Sequence, residues 1–226
     1  MSLGHGAAVA GLKTLTRVLC RIDDEQLARV PAHGPLILVT NHTNILEVPL
    51  LYTHLLPRRV TCFVASNRWE NPFFRWLLDG ARMIPLHRGQ ADVSALREGL
   101  RRLEAGEIVI IAPEGTRSGS GRLQRAKAGV VPFALCSQAP LLPLVYHGHE
   151  GFGDNVRRLR RTDFHIIVGE LFRLETHGVR VTRQVRQAIV DEIMRVLARL
   201  LPPEYRGVYA DLGPAPRYVV PLPPTA

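Results

Sequence analysis

The sequence predicts a single α/β domain, in which helices flank a largely parallel central sheet and an amphipathic helix lies at the N-terminus. Short apolar runs rich in β-branched residues alternate along the chain with segments whose apolar residues recur at helical spacing. The chain has 226 residues, of which 46% are hydrophobic. This length and composition are enough to bury one sizeable core.

The strands are predicted at the most apolar short runs, which are 35–40, 60–65, 83–86, 108–112, 141–146 and 164–168. Helices are predicted at 48–55, 72–79, 92–104 and 126–136, and in a last long segment marked by Val185, Ile189, Ile193, Val196 and Leu200. In such sheets, functional sites gather at the carboxyl ends of the strands. His42 and Glu114 each follow a predicted strand, so we expect them to meet at one edge of the sheet.

Residues 1–30 are predicted to form an N-terminal segment built on one amphipathic helix over 7–22. Its apolar residues share one arc of the helical wheel and its basic residues share another, respectively Leu12, Leu15, Leu19 and Ile22, and Lys13, Arg17 and Arg21. An apolar stripe beside a cationic stripe suits a helix that lies on an anionic membrane surface. The alternative is a surface helix packed on its own domain.

Residues 31–201 are predicted to form the α/β domain, and 202–226 a Pro-rich C-terminal arm. The arm holds seven of the 17 prolines, so we expect extended chain there rather than a further domain. Prolines and polar residues interrupt the most apolar long window, 130–146, which therefore does not read as a transmembrane helix. We also expect no signal peptide, because the N-terminus lacks an early basic region and a small-residue cleavage site.

The chain is strongly basic, with a net charge of +9 and only two lysines among its 29 basic residues. This balance favours an anionic partner, such as a membrane surface, a phosphorylated ligand or a nucleic acid. An aromatic content of 6% and the lack of a recognisable nucleic-acid-binding pattern argue against the last. The three cysteines are widely spaced, which argues against a disulfide framework and a zinc site.

The stretch NHTNILE at 41–47 pairs a histidine with a carboxylate five positions later. A carboxylate can hold one ring nitrogen of a histidine and leave the other free to act as a base. Positions five apart are about 140° apart around an ideal helix. His42 and Glu47 therefore meet only if His42 lies in the loop after the strand and Glu47 in the first helical turn. The pattern by itself also fits an ordinary structural contact.

No serine or cysteine nucleophile pattern accompanies this pair, which favours direct deprotonation of a substrate hydroxyl. The stretch APEGTRSGSGR at 112–122 combines three glycines, hydroxyl groups and two arginines after an apolar run. It is either a phosphate cradle or a solvated loop. His147 and His149 lack a third metal ligand, so we expect a solvated loop there and no metal site.

Four sequence blocks, taken together and in order, resemble the glycerolipid acyltransferases, which include the 1-acylglycerol-3-phosphate (lysophosphatidic acid) acyltransferases. They are NHTNILE at 41–47, GARMIPLHR at 80–88, APEGTRS at 112–118 and APLLPLV at 139–145. Lys127, before Ala128 and Gly129, is similar to the basic-Gly element of that family. The likeness covers about residues 35–150. It implies an α/β sheet flanked by helices, with membrane-binding helices at the N-terminus.

The resemblance also implies a reaction, which is the transfer of a fatty acyl group from acyl-CoA or acyl carrier protein to the free hydroxyl of a lysophospholipid. The first expected acceptor is 1-acylglycerol-3-phosphate. His42 would be the general base and Glu47 would orient it. The acceptor phosphate would be bound by Arg88, Glu114, Gly115, Thr116 and Arg117. Asn41 and Lys127 would also bind substrate. The fourth block would shape the acyl-donor side.

The resemblance implies no metal and no bound cofactor, because the acyl donor is a co-substrate. The substrate class and the basic helix together predict a peripheral membrane protein on the cytoplasmic face. Glu47 departs from the family pattern, in which aspartate is usual, and Asn44 stands where serine is common. Another lysolipid or hydroxyl acceptor, or a non-catalytic lipid-binding relative, remains an alternative. The sequence leaves the acyl-chain length, the donor carrier and the oligomeric state open.

Overall fold

The structure, a computed structural model, describes residues 3–44, 46–89 and 92–223. Its helices are α1 (Leu3–Leu19), α2 (Glu47–His54), α3 (Pro72–Gly80), α4 (Val93–Glu104), α5 (Val130–Ser137), α6 (Phe152–Arg157) and α7 (Arg183–Leu200). Its strands are β1 (Cys20–Asp23), β2 (Leu36–Thr40), β3 (Val60–Ala65), β4 (Ile84–Leu86), β5 (Ile108–Ile111), β6 (Leu141–His147), β7 (Thr162–Val168), β8 (Phe172–Leu174) and β9 (Val219–Pro221). Short 3-10 turns lie at Glu25–Arg29, Ser66–Glu70, Pro203–Tyr205 and Gly207–Tyr209.

Within these ranges the strands form one sheet, in the order β1-β7-β6-β2-β5-β3-β4, with β8 pairing with β6 and β9 pairing with β8. All pairs from β6 through β2, β5 and β3 to β4 are parallel, whereas β7 and β8 run antiparallel to β6. The predicted α/β class with a largely parallel sheet is therefore confirmed. Strand β2 is central and all five of its residues are buried, which explains why its sequence LILVT has four consecutive apolar residues before the buried Thr40.

Successive side chains of the central strands point to opposite faces of the sheet, and each face has its own hydrophobic core. Ile37 and Val39 pack with residues of α5 and α7 on one face. Leu36 and Leu38 pack with Leu50 of α2 on the other face. This two-sided burial fixes the direction of β2, and so fixes where the loop that follows Thr40 emerges.

The helix starts that the sequence predicts inside the domain are largely confirmed. Helix α3 begins at Pro72, where the side chain of Asn71 accepts hydrogen bonds from the amides of Phe73 and Phe74. Asp92 caps α4 in the same way and accepts from the amide of Ala95 at 3.0 Å. Helix α5 is shorter than the predicted 126–136, since the amides of Ala126 and Lys127 donate to tertiary partners instead of forming a helical turn.

The predicted N-terminal helix over 7–22 is wrong about its end. Helix α1 ends at Leu19, and Cys20–Asp23 form strand β1, which pairs in parallel with β7 at the sheet edge. The helical spacing of Ile22 is therefore coincidental, because its backbone is taken up by the sheet. None of the helices within the described ranges is both long and apolar enough to cross a membrane.

The predicted C-terminal arm folds back onto the domain. Tyr209 and Val219 are buried, and β9 extends the sheet through β8. This segment also contains the two 3-10 turns Pro203–Tyr205 and Gly207–Tyr209, and its buried residues complete the core. Residues 1–2 and 224–226 of the predicted terminal segments lie outside the described residues.

Candidate active site

Asn41 fixes the start of the loop that follows β2. It is buried, and its Oδ1 accepts from the amide of Tyr146 at 2.9 Å while its Nδ2 donates to the carbonyl of the same residue at 3.0 Å. Tyr146 belongs to β6, the strand next to β2. The amide side chain thus continues the pairing of the two strands beyond Thr40, and it sets the direction in which His42 leaves the sheet.

The side chains of His42 and Glu47 meet just beyond this point. His42 Nδ1 lies 2.8 Å from Glu47 Oε2, and Glu47 is the first residue of α2. His42 therefore lies in the strand-to-helix loop and Glu47 in the first helical turn, which is the placement that the sequence predicts. Because the carboxylate takes Nδ1–H, the ring presents Nε2 as its basic nitrogen. The His42 side chain is one quarter exposed, at 25%.

The Glu47 carboxylate is almost fully enclosed, at 1% exposure, and has several hydrogen-bond donors around it. Its Oε1 accepts from the amides of Thr43 and Asn44 at 2.6 and 2.5 Å, and lies 3.2 Å from His149 Nε2. Burial acts to raise the pKa of Glu47, but the hydrogen bonds from His149 and His42 outweigh it and hold this pKa below its usual value. The site thus keeps an ionised carboxylate beside the His42 ring.

The loop that follows β5 forms hydrogen bonds with the backbone of His42. Glu114 accepts from the amide of His42 at 2.8 Å and from the amide of Gln124 at 2.9 Å, and the amide of Ser118 donates to the carbonyl of His42 at 2.7 Å. Glu114 is buried, and its burial raises its pKa despite these hydrogen bonds. The predicted meeting of His42 and Glu114 at one sheet edge is confirmed.

Two cavities adjoin His42. The first, of about 500 Å³, lies against α5 and is lined among others by Val130 and Phe133; we call it the α5 cavity. The second, of about 570 Å³, lies against α3 and is lined by residues such as Leu77 and Leu78; we call it the α3 cavity. His42 stands in the wall of both. A substrate in either cavity would therefore lie next to His42.

Cationic side chains border both cavities. Arg88 lines both of them, Lys127 lines the α5 cavity, and Arg117 lines the α3 cavity. Gly115 turns the loop with a φ of +68°, and a Cβ there would stand 3.2 Å from Lys127 Cδ. Glycine therefore allows both the turn and the close passage of the lysine stem. The arrangement suits an anionic group held near His42.

A family model described as Acyltransferase matches residues 21–147, which is more than half of the chain. The chain belongs to this acyltransferase family.

Several relatives of this chain carry the name 1-acyl-sn-glycerol-3-phosphate acyltransferase. The Bacillus subtilis protein is 27% identical over 119 residues, which are 53% of this chain and 59% of that protein. The Pseudomonas aeruginosa protein is 23% identical over 197 residues, which are 85% of this chain and 76% of that protein. This chain thus spans less than two thirds of the length of several of its relatives, including those from Bacillus subtilis and Arabidopsis thaliana.

The fold of this chain is also similar to a solved structure. The crystal structure of the 1-acyl-sn-glycerophosphate (LPA) acyltransferase PlsC from Thermotoga maritima aligns with a TM-score of 0.60 and 18% identity. The alignment covers 87% of this chain and 81% of that one. At this identity the likeness concerns the fold.

The predicted site residues of this chain fall into two groups. Those that line the cavities are His42, Glu47, Arg88, Gly115, Thr116, Arg117 and Lys127. Asn41 and Glu114 are buried behind them, where their side chains bind backbone groups of Tyr146, His42 and Gln124. Direct contact of Asn41 or Glu114 with substrate stays a prediction, and the observed role of both is to position the His42 loop.

His149 is the site residue that sequence reasoning missed. The expected solvated loop is wrong for it, because His149 is fully buried and contacts Glu47. One signal was available: His149 follows β6 closely, at the same edge of the sheet as His42. Among the residues that the structure describes, no group of three or more His, Cys, Asp or Glu side chains could hold a metal ion.

Proposed function

We propose that the chain transfers a fatty acyl group from acyl-CoA or acyl carrier protein to the free hydroxyl of a lysophospholipid, as a step of phospholipid biosynthesis. The first candidate acceptor is 1-acylglycerol-3-phosphate, the compound in the names of the relatives. The observation that carries the proposal is the His42–Glu47 pair, at 2.8 Å, whose histidine lines both cavities. A general base between two substrate sites is what a direct acyl transfer requires.

His42 and Glu47 would act as follows. His42 Nε2 takes the proton of the acceptor hydroxyl while the hydroxyl oxygen attacks the thioester carbonyl carbon, so that a C–O bond forms. The imidazolium is stabilised by the Glu47 carboxylate at Nδ1–H. Collapse of the tetrahedral intermediate breaks the C–S bond, and the imidazolium returns the proton to the departing thiolate. General-base assistance of this kind contributes roughly 10²–10⁴ in rate.

The cations that border the cavities would bind the acceptor phosphate. Arg88 offers a planar guanidinium in the wall that both cavities share, and Lys127 and Arg117 add one positive charge on each side. Glu114 is an unsuitable phosphate ligand, since its carboxylate is buried and already accepts from two backbone amides. The reaction needs no metal and no bound cofactor, because the acyl donor brings its own activated carbonyl.

We further propose that the chain works at an anionic membrane surface, as a peripheral protein on the cytoplasmic face. Helix α1 exposes Leu15 and Val18. At its N-terminal end it contacts an exposed aromatic cluster on α3, Phe73, Phe74 and Trp76, through His5. Exposed aromatic and aliphatic side chains of this kind bind the interfacial region of lipid bilayers.

The other end of α1 meets a cationic loop. Arg161 donates to the carbonyls of Arg17 and Cys20, and the segment 157–161 reads RRLRR. All four of its arginines are exposed, and Leu159 among them is 95% exposed. Exposed arginines beside an exposed leucine suit anionic headgroups and the acyl boundary beneath them.

The proposed activity is tested by acyl transfer from labelled donors to a panel of lysophospholipids that differ in headgroup. Both acyl-CoA and acyl carrier protein are supplied, in the presence of anionic vesicles. We expect one donor class to acylate 1-acylglycerol-3-phosphate faster than acceptors whose phosphate is capped by a larger headgroup. If no acceptor is acylated by either donor, the proposed activity is contradicted.

A further inference from the structure

His149 belongs to a buried arrangement that the proposed mechanism does not use. It follows β6, its exposure is 0%, and its ring packs 4.4 Å from the ring of Phe164 and 6.2 Å from that of Tyr146. Its Nε2 lies 3.2 Å from Glu47 Oε1. His149 lines neither the α5 cavity nor the α3 cavity, so its ring contacts the carboxylate without reaching the substrate sites.

The two oxygens of Glu47 are divided between two histidines. Oε2 faces His42 Nδ1 at 2.8 Å, and Oε1 faces His149 Nε2. The carboxylate therefore contacts two imidazole rings. One is that of His42, which lines the cavities, and the other is that of His149, which is buried in the core. With both oxygens engaged, Glu47 cannot rotate about its terminal bond without losing a hydrogen bond at each end.

The surroundings of His149 decide which of its nitrogens carries the proton. Within the described part of the chain, Nδ1 of His149 is buried and has no hydrogen-bond partner. An unprotonated Nδ1 leaves only a lone pair without a partner, which costs little free energy. A protonated Nδ1 would be a buried donor without an acceptor, which costs more. The neutral form protonated at Nε2 is thus the favoured one, and it donates Nε2–H to Glu47 Oε1.

Resting on the proposed function, we propose that His149 is a positioning residue for Glu47, and that glutamate occupies position 47 because it reaches both His149 and His42. An aspartate is one methylene shorter. From the first residue of α2, its carboxylate could accept a hydrogen bond from His42 Nδ1. It would lie too far from His149 Nε2 to accept a second one. In this chain His149 keeps the carboxylate ionised and aimed at His42 Nδ1, and it acts on turnover through Glu47.

The test compares His149→Leu with His149→Gln in the acyl-transfer assay. Leucine removes the donor, and we expect kcat to fall by about 10- to 100-fold, the size of a lost hydrogen bond to a charged group. KM for both substrates should stay within about twofold, since His149 lines neither cavity. Glutamine can still donate to Glu47 Oε1, so we expect it to restore most of kcat.

Phe164→Leu is the matched control, because the Phe164 ring packs against the His149 ring and carries no hydrogen-bond donor for the Glu47 carboxylate. We expect it to lower stability as much as His149→Leu does, as measured by urea unfolding, and to keep kcat. If His149→Leu keeps wild-type kcat, or if Phe164→Leu loses as much kcat, His149 has only a packing role and the proposal is overturned.

A double-mutant cycle tests why position 47 is glutamate. We expect Glu47→Asp to lower kcat by about as much as His149→Leu, and the double variant to lose little more than either alone, because both break the same contact. If the fold-loss of kcat in the double variant equals the product of the two single losses, the two residues act independently, which contradicts the proposal.

A second measurement does not depend on turnover. In ¹⁵N-histidine NMR at neutral pH, we expect His149 to be protonated at Nε2 and bare at Nδ1, with both signals shifted in Glu47→Asp. A doubly protonated His149, or signals unmoved by Glu47→Asp, would overturn the proposal. An inactive wild type that still gives the expected spectrum would contradict the proposed acyl transfer and leave the His149–Glu47 contact standing.

Discussion

Asn41 and the backbone of Tyr146 form a closed pair of hydrogen bonds, at 2.9 and 3.0 Å, between the end of β2 and the strand beside it. The asparagine side chain thus adds one more hydrogen-bonded pair between the two strands. Since the His42 loop begins at Asn41, the site is anchored to the central parallel strands and not only to the loops around it.

Asn41→Ala should therefore weaken the fold as well as the site. It leaves the amide and the carbonyl of Tyr146 buried without partners, and such groups cost about 1–3 kcal/mol. We expect the free energy of unfolding, measured by urea titration, to fall by about that amount. Asn67→Ala, at an exposed asparagine, is the control. Equal unfolding free energies for the two variants would contradict the anchoring role.

The cations beside His42 should distinguish acceptors by their phosphate. Arg88→Ala or Lys127→Ala removes a charge from the cavity walls. We expect KM for a phosphate-bearing acceptor to rise by about 10- to 100-fold, the size of a hydrogen bond to a charged group. A neutral acceptor should be affected far less. Arg101→Ala, on the exposed face of α4, is the control. An equal loss for neutral and phosphorylated acceptors would refute phosphate binding at these cations.

The lowered pKa of Glu47 makes a prediction about stability and pH. A carboxyl whose folded pKa lies below its usual 4.5 stabilises the fold above pH 4.5, and this stabilisation is lost as the pH falls through the folded pKa. We expect the unfolding free energies of the wild type and of Glu47→Gln to differ most near neutral pH and to converge below 4.5. Urea unfolding across this range measures the difference, with Glu104→Gln at an exposed glutamate as control. A difference that grows on acidification would show that this pKa is raised.

Membrane binding should depend on the exposed aromatic cluster of α3. Trp76 is 46% exposed, and burying an aromatic side chain in a bilayer interface contributes roughly 1.5–3 kcal/mol. We expect Trp76→Ser to weaken co-sedimentation with anionic vesicles about tenfold or more. Val208→Ser is the control, because Val208 is an exposed apolar residue of a C-terminal 3-10 turn. If Val208→Ser weakens co-sedimentation with vesicles as much as Trp76→Ser does, membrane binding by the aromatic cluster of α3 is contradicted.

The parts of the fold that the sequence predicts well are those that local pattern determines. The central strand β2 has four consecutive apolar residues before Thr40, and α4 has both helical spacing and an Asp92 cap. The loop position of His42 and the helical position of Glu47 follow from the same pattern. Their contact could thus be predicted, since the geometry leaves few other ways for the two side chains to meet.

The features that the sequence does not predict depend on contacts between distant segments. Cys20–Asp23 continue a helical spacing but form a strand because β7 offers them an edge. Strand β9 likewise depends on β8. His149 resembles a loop histidine in sequence, and only the packing of Phe164 and Glu47 around it shows that it is buried. Burial of a single polar residue is decided by tertiary packing, which one sequence does not display.

The central claim is that His42 is the general base of an acyl transfer, and His42→Gln tests it most directly. Glutamine can keep a hydrogen bond to Glu47 but cannot accept and return a proton. We expect kcat/KM for acyl transfer to the preferred lysophospholipid to fall by roughly 10²–10⁴, with an unfolding free energy close to that of the wild type. A folded His42→Gln variant that turns over at the wild-type rate would contradict the claim.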